Sequence, residues 1–98
     1  MYRIFLLISA EKSMVKVLFF AKSKEITKIS EGQLTFTNST IKIRQIYQAL
    51  ESQWPDLKKL KRSFALALNE EYLDTNQNSV ISVQESDTLA VIPPISGG

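Results

Sequence analysis

Residues 15–20, Val-Lys-Val-Leu-Phe-Phe, are apolar apart from Lys16 and read as a strand, whose side chains point to its two faces in turn. Val15, Val17 and Phe19 fall on one face, and Lys16, Leu18 and Phe20 on the other. Lys16 makes that second face at least partly wet, so Phe20 is expected near solvent at the strand's end. Residues 21–27 tolerate a helix but carry one apolar anchor, Ile26, and read as a loop with a helical turn. Gly32 permits a turn. Residues 33–37 then alternate strictly, with Leu34 and Phe36 inward. The two strands are close enough in sequence to form a long-looped hairpin.

The period changes after Asn38-Ser39, where Thr40 is the expected N-cap of a helix. Ile43, Ile46, Tyr47, Leu50 and Trp54 recur at helical spacing. This is the main amphipathic helix, about three and a half turns at 3.6 residues per turn. Its polar side carries Lys42, Arg44, Gln45, Gln48, Glu51 and Ser52. Pro55 ends it, because the residue before a proline is pushed out of helical geometry. Asp56 is placed to cap a second, short helix through Leu57 and Leu60. Residues 64–68 predict a third strand, Asn69-Glu70 a two-residue turn, and residues 71–74 a short return strand. Residues 75–79 are polar and loop-like, and Val80-Ile81 offers a small strand. A turn over residues 84–87 feeds the last strand, residues 88–92, which is β-branched and apolar. Pro93 and Pro94 stop it, since neither donates to a ladder.

One helix covers only one face of a sheet. The first and last strands are the most apolar and are expected side by side at the centre, in parallel, with the helix in the crossover. The expected fold is α+β: a ubiquitin-like β-grasp with a mixed sheet of four to five strands. One main helix packs across one face of it. The domain spans residues 14–92 and a tail spans 93–98. Residues 1–13 are expected to form an extension outside the fold. Their apolar run is too short for a membrane span, which needs about 20 residues, and lacks a small-residue cleavage site. An extra edge strand is the competing reading.

Composition narrows the chemistry. Ninety-eight residues make one small domain, and 44% hydrophobic with 22% charged residues is ordinary for a globular protein. A net charge of +2 gives no case for nucleic acid, and Lys58, Lys59, Lys61 and Arg62 read as a solvated helix face. The chain has no cysteine and no histidine. Disulfides, thiol nucleophiles, zinc clusters and imidazole catalysis are thereby excluded within it, and no metal or membrane partner is expected. The absence of cysteine fits the cytosol.

The remaining unusual group is the carboxylate of Gly98. The sequence Pro93-Pro94-Ile95-Ser96-Gly97-Gly98 reads as a stiff spacer leading to a stretch without side chains. A frayed tail is the plainer reading. A carboxylate becomes an electrophile only when activated, for example as a mixed anhydride with a nucleotide. Activation requires threading into another protein's active site, and only glycine fits a channel narrowed to backbone width. Strand parity places Ile92 on the outer face at the tail's root. Phe20 is expected beside it, with Tyr72 from just past the turn. Three exposed apolar side chains there make a docking patch. The structural alternative is that they merely finish the core.

Three stretches carry a family resemblance: Val15-Lys16-Val17-Leu18-Phe19-Phe20-Ala21-Lys22-Ser23-Lys24-Glu25-Ile26-Thr27, Leu68-Asn69-Glu70-Glu71-Tyr72, and Asp87-Thr88-Leu89-Ala90-Val91-Ile92-Pro93-Pro94-Ile95-Ser96-Gly97-Gly98. Together they resemble the small, sulfur-carrier subunits of molybdopterin synthase, over residues 14–98. The resemblance implies that an activating enzyme uses ATP to adenylate Gly98, which is then converted to a 1-thioglycine thiocarboxylate. It implies insertion of the tail into a large synthase subunit, in a heterotetramer of two small and two large chains. There the sulfur builds the dithiolene of molybdopterin from cyclic pyranopterin monophosphate. Gly98 then carries the sulfur, Gly97 gives clearance, and Pro93, Pro94, Ile95 and Ser96 thread the tail. Phe20, Tyr72 and Ile92 dock partners. The chain binds no cofactor itself and acts as a co-substrate. Carriers of the thiamine or tRNA-thiolation pathways, and a ubiquitin-like modifier conjugated through Gly98, remain alternatives.

Overall fold

A computed structural model describes residues 12–94. Most of the expected extension and the tail residues Ile95, Ser96, Gly97 and Gly98 lie outside that range. The first strand, β1, is Ser13–Phe19, and its inward residues Val15, Val17 and Phe19 are almost wholly buried. Ser13, expected in the extension, instead pairs with Phe36 and opens the strand. Helix α1, Ala21–Thr27, follows directly. Its sequence predicts only a loop with a turn, because its buried anchor is a serine, Ser23, rather than an apolar stripe. Strand β2, Glu31–Phe36, returns antiparallel to β1 and turns Leu34 and Phe36 inward.

Thr40 is not the helix cap. Thr40–Lys42 is a strand, β3, and Lys42 caps helix α2, Ile43–Gln53. The Gln45 Oε1 accepts the Lys42 N–H at 2.9 Å. The next two N–H groups, of Ile43 and Arg44, donate to the carbonyls of Ser79 and Gln77 at 2.9 and 3.0 Å. A loop distant in sequence thus satisfies donors that a helix start leaves unpaired. Ile43, Ile46, Tyr47 and Leu50 form the buried stripe. Trp54, at the helix's end, meets Phe19 edge to face with centroids 4.8 Å apart. A 3-10 helix, Pro55–Leu60, starts at the proline and has Trp54, not Asp56, as its cap.

Strands β4, Ala65–Leu68, and β5, Glu71–Tyr72, form a hairpin, and β6, Val80–Ser82, pairs with β3 in a separate two-stranded sheet. The last strand, β7, is Thr88–Ile92. The five-stranded sheet has the order β2-β1-β7-β4-β5. Its two central strands, β1 and β7, run parallel with Val17 opposite Leu89 and Phe19 opposite Val91. A crossover containing α2 joins them, and α2 packs across one face: the β-grasp arrangement. Leu89 and Val91 are buried on the helix side, so Thr88, Ala90 and Ile92 are left on the other.

Parallel pairing has a direct consequence for the surface. It brings the C-terminal ends of β1 and β7 to the same edge of the domain, with Phe20 just beyond one and Pro93 just beyond the other.

Candidate docking surface and tail root

The outer face of the sheet, opposite α2, carries a shallow hollow of about 490 Å³. Ala67 and Ala90, paired across β4 and β7, are among its lining residues, and their small side chains keep this part of the sheet low. Phe20, Tyr72, Ile92 and Leu18 border it, with Asn69, Glu70 and Thr88 supplying its polar side. Tyr72 is 71% exposed and Phe20 46%, while Ile92 is half-buried. The three residues expected from parity to meet around the tail's root therefore do line one hollow.

Each is held by a specific local device. Tyr72 follows the turn at Asn69-Glu70, whose φ values of 51° and 72° are those of a two-residue hairpin turn. Asn69 tolerates that conformation and also staples the turn to β7. Its side-chain amide donates to Asp87 Oδ1 at 3.0 Å, and its side-chain oxygen accepts the Thr88 N–H at 2.9 Å. The Asn69 N–H donates to the Thr88 carbonyl at 2.8 Å. Phe20 sits at the cap of α1, and Ala21 after it takes a left-handed φ of 49°, a conformation uncommon for a residue other than glycine. The Phe20 N–H is shared between the Val91 carbonyl at 3.2 Å and Ser23 Oγ at 3.1 Å. Ile92 is fixed by pairing with Ala65.

Pro93 is buried and Pro94 exposed. The anchored part of the chain thus extends one residue past the strand. Ile95, Ser96, Gly97 and Gly98 lie outside the described residues.

Among the described residues, the three groups whose acidity is displaced all lie elsewhere, around a second hollow of about 290 Å³ bordered by α2, residues 62–66 and residues 73–77. Burial pushes the Tyr47 phenol up, against the opposing charge of Arg62. The Tyr47 hydroxyl donates to the Phe64 carbonyl at 2.8 Å. Arg62 is held protonated above its ordinary range, chiefly by its hydrogen bonds to Glu51. Its Nη2 lies 3.0 Å from Glu51 Oε1, and its Nε is 3.3 Å from both carboxylate oxygens. Glu51 is only 9% exposed. The helical period puts it on the polar face of α2 and gives no sign of this pair, because its partner comes from beyond the 3-10 helix. Asp74 is pulled below the usual carboxylate range, first by the Asn76 N–H at 3.0 Å and then by the Ser79 hydroxyl at 2.9 Å. These contacts close loops and knit the helix to the sheet. Among the described residues, no group of three or more acidic side chains is arranged to hold a metal ion. No helix there is long and apolar enough to cross a membrane.

Comparison with known proteins matches the chain to a family. The ThiS family model covers residues 17–98. The molybdopterin synthase sulfur carrier subunit of Homo sapiens is 36% identical over 84 residues, which is 86% of this chain and 93% of that relative. SAMP1 from Haloferax volcanii superposes with a TM-score of 0.71 at 18% identity, covering 88% of this chain and all of that one, and shows the shared fold. A protein–protein complex of subunits 1 and 2 of the molybdopterin-converting factor from Helicobacter pylori contains a chain with a TM-score of 0.57 at 25% identity. That match covers 87% of this chain and 99% of the other.

Proposed function

Because this chain belongs to the ThiS family, we propose that it is the sulfur-carrier subunit of a molybdopterin synthase, working in the cytosol on the carboxyl group of Gly98. The observation that supports this reading best is the meeting of Phe20, Tyr72 and Ile92 beside Pro93, where the tail leaves the domain. An apolar patch at the base of a tail suits a protein that must be gripped while its end is processed elsewhere.

The chemistry follows from the carboxylate. In an activating enzyme, a Gly98 carboxylate oxygen attacks the α-phosphorus of ATP and pyrophosphate leaves. The resulting mixed anhydride makes the acyl carbon electrophilic. Sulfur supplied there at the level of hydrosulfide adds to that carbon, AMP leaves with the electron pair of the broken C–O bond, and the sulfur gives up its proton. Gly98 is then a thiocarboxylate. Gly97 leaves room in a narrow channel, Ile95 and Ser96 thread it, and Pro93 and Pro94 keep the tail extended. The large synthase subunit takes up the tail, the sulfur attacks cyclic pyranopterin monophosphate, and water cleaves the resulting thioester, which leaves sulfur on the pterin and returns Gly98 as a carboxylate. Two such rounds build one dithiolene, in an assembly of two small and two large chains. This chain contributes the cargo and its address; ATP is the activating enzyme's substrate, and acid-base groups come from the large subunit.

The test is intact mass spectrometry after co-expression with an activating enzyme and a sulfur source. The expected result is the mass change of one oxygen replaced by one sulfur, mapped by fragmentation to Gly98. An unaltered terminus under those conditions refutes the reading. Covalent high-mass forms that resist reductant favour a protein modifier instead.

A further inference from the structure

Among the residues that line the docking hollow, Glu70 is the only charged one. It is the second residue of the hairpin turn, since Leu68 pairs with Glu71 across it. Its φ of 72° is left-handed. That position favours glycine, and a glutamate there carries a conformational cost. Neighbouring acids on this side of the domain serve the fold. Asp87 accepts the Asn69 amide at 3.0 Å and the Gln84 N–H at 2.8 Å, and Glu85 accepts the Met14 N–H at 2.9 Å. Glu70 is different. The ion pairs of the described residues join Lys22 to Glu25, Lys59 to Asp56 and Arg62 to Glu51, and none reaches it. The turn thus holds an exposed acid in a costly conformation with no counter-charge in the domain, and such places cluster at working surfaces.

A partner that covers Phe20, Tyr72 and Ile92 also meets this carboxylate, because all four line one hollow. Taking a carboxylate out of water without a counter-charge is strongly unfavourable, and a cation set against it offsets that cost. The chain as a whole carries a net charge of +2, so attraction to a basic group arises at this side chain and not from the overall charge. We infer that the large synthase subunit sets a basic side chain, lysine or arginine, against Glu70, and that this pair helps decide which partner the hollow accepts. The inference rests on the carrier reading above and adds the chemistry of the partner's face. That face offers apolar contacts to Phe20, Tyr72 and Ile92 and one positive group at the turn. A partner with a neutral or acidic group there leaves the carboxylate unpaired and is rejected. Glu71, the next residue, supplies a control. It pairs with Leu68, which packs against the core on the helix side, and it does not line the hollow.

The experiment is calorimetric titration of the full chain and its variants into the purified large synthase subunit, at low and high salt, with thermal melts alongside. Glu70→Gln keeps the shape and removes the charge, and is expected to raise Kd about tenfold at low salt and less at high salt. Glu70→Lys is expected to raise it about a hundredfold, because two like charges then face each other. Glu71→Gln is expected to stay within about twofold of wild type. Glu70→Gly relaxes the turn, so its Tm is expected at or above that of the native chain while Kd still rises about tenfold. Docking and stability then part company, which a purely structural role for Glu70 does not allow. A Kd within about twofold of wild type in Glu70→Gln, an equal loss in Glu71→Gln, or a loss in Glu70→Gly that tracks a fall in Tm overturns the inference and leaves the carrier reading standing. A wild-type chain that the large subunit does not bind overturns both.

Discussion

Replacing Tyr72 with alanine separates docking from folding. Tyr72 is 71% exposed and sits on the two-residue edge strand β5. An aromatic side chain presents about 200 Å², so about 140 Å² of this ring is open to a partner. Covering all of it contributes about 3.5 kcal/mol at about 25 cal/mol per Å². Alanine keeps the β-carbon and a rim stays wet, so the expected loss is about 2–3 kcal/mol, roughly 30- to 150-fold in Kd. The domain itself loses little, under about 1 kcal/mol, as for an edge-strand residue without close packing. Phe20 is the contrast. It is 46% exposed, so about half of it already packs within the domain. Phe20→Ala should weaken partner binding and lower Tm together. The assay is calorimetric titration of each variant into the purified large synthase subunit, alongside thermal melts. A wild-type Kd for Tyr72→Ala, or a fall in Tm matching that of Phe20→Ala, refutes the assignment of the hollow as the gripping surface.

Two further substitutions probe the fold away from that surface. A β-carbon on Gly32 would stand 2.5 Å from Trp54 Cζ2 and 3.0 Å from Cη2, so the indole must shift off Phe19. Overpacking of this kind costs about 1–3 kcal/mol, partly offset by about 0.4–1 kcal/mol from a less flexible unfolded chain. Gly32→Ala should therefore lose about 1–2 kcal/mol in denaturant unfolding, and an increase in stability refutes the close-contact account. Asp74 is held ionised by the Asn76 N–H and the Ser79 hydroxyl, which puts its folded-state acidity below the ordinary carboxylate range. Its contribution is thus present at neutral pH and drains away as pH falls through and below that range. The Tm gap between the native chain and Asp74→Asn should close on acidification. A gap unchanged from neutral pH to about pH 2 refutes it.

The parts of the fold legible in the sequence are those written in local periods. Val15, Val17 and Phe19 announce β1, Leu89 and Val91 announce β7, and the Ile43–Leu50 stripe announces α2, because each buries one face along its whole length. Asn69-Glu70 was readable as a turn because asparagine tolerates the backbone that the turn needs. Strand β3 was not: its three residues carry no period, and what makes them a strand is β6, far along the chain. Helix α1 hid for a different reason. Its inward residue is Ser23, whose burial is tolerable only because Phe20 and Val91 supply partners. The same non-local logic concealed Glu51 with Arg62. The docking hollow is foreseeable from strand parity for Phe20 and Ile92 and from the hairpin turn for Tyr72.

The parallel pairing of β1 with β7 makes the proposed address conformational. Phe20 comes from the opening of the domain, Tyr72 from its third quarter and Ile92 from its close, and an unfolded copy keeps the Gly-Gly sequence while scattering the three. Such a copy offers cargo space with no label, and an activating enzyme that grips before it adenylates passes it by. Loading would then act as a proofreading step, with ATP committed only to carriers whose first and last strands have already found each other.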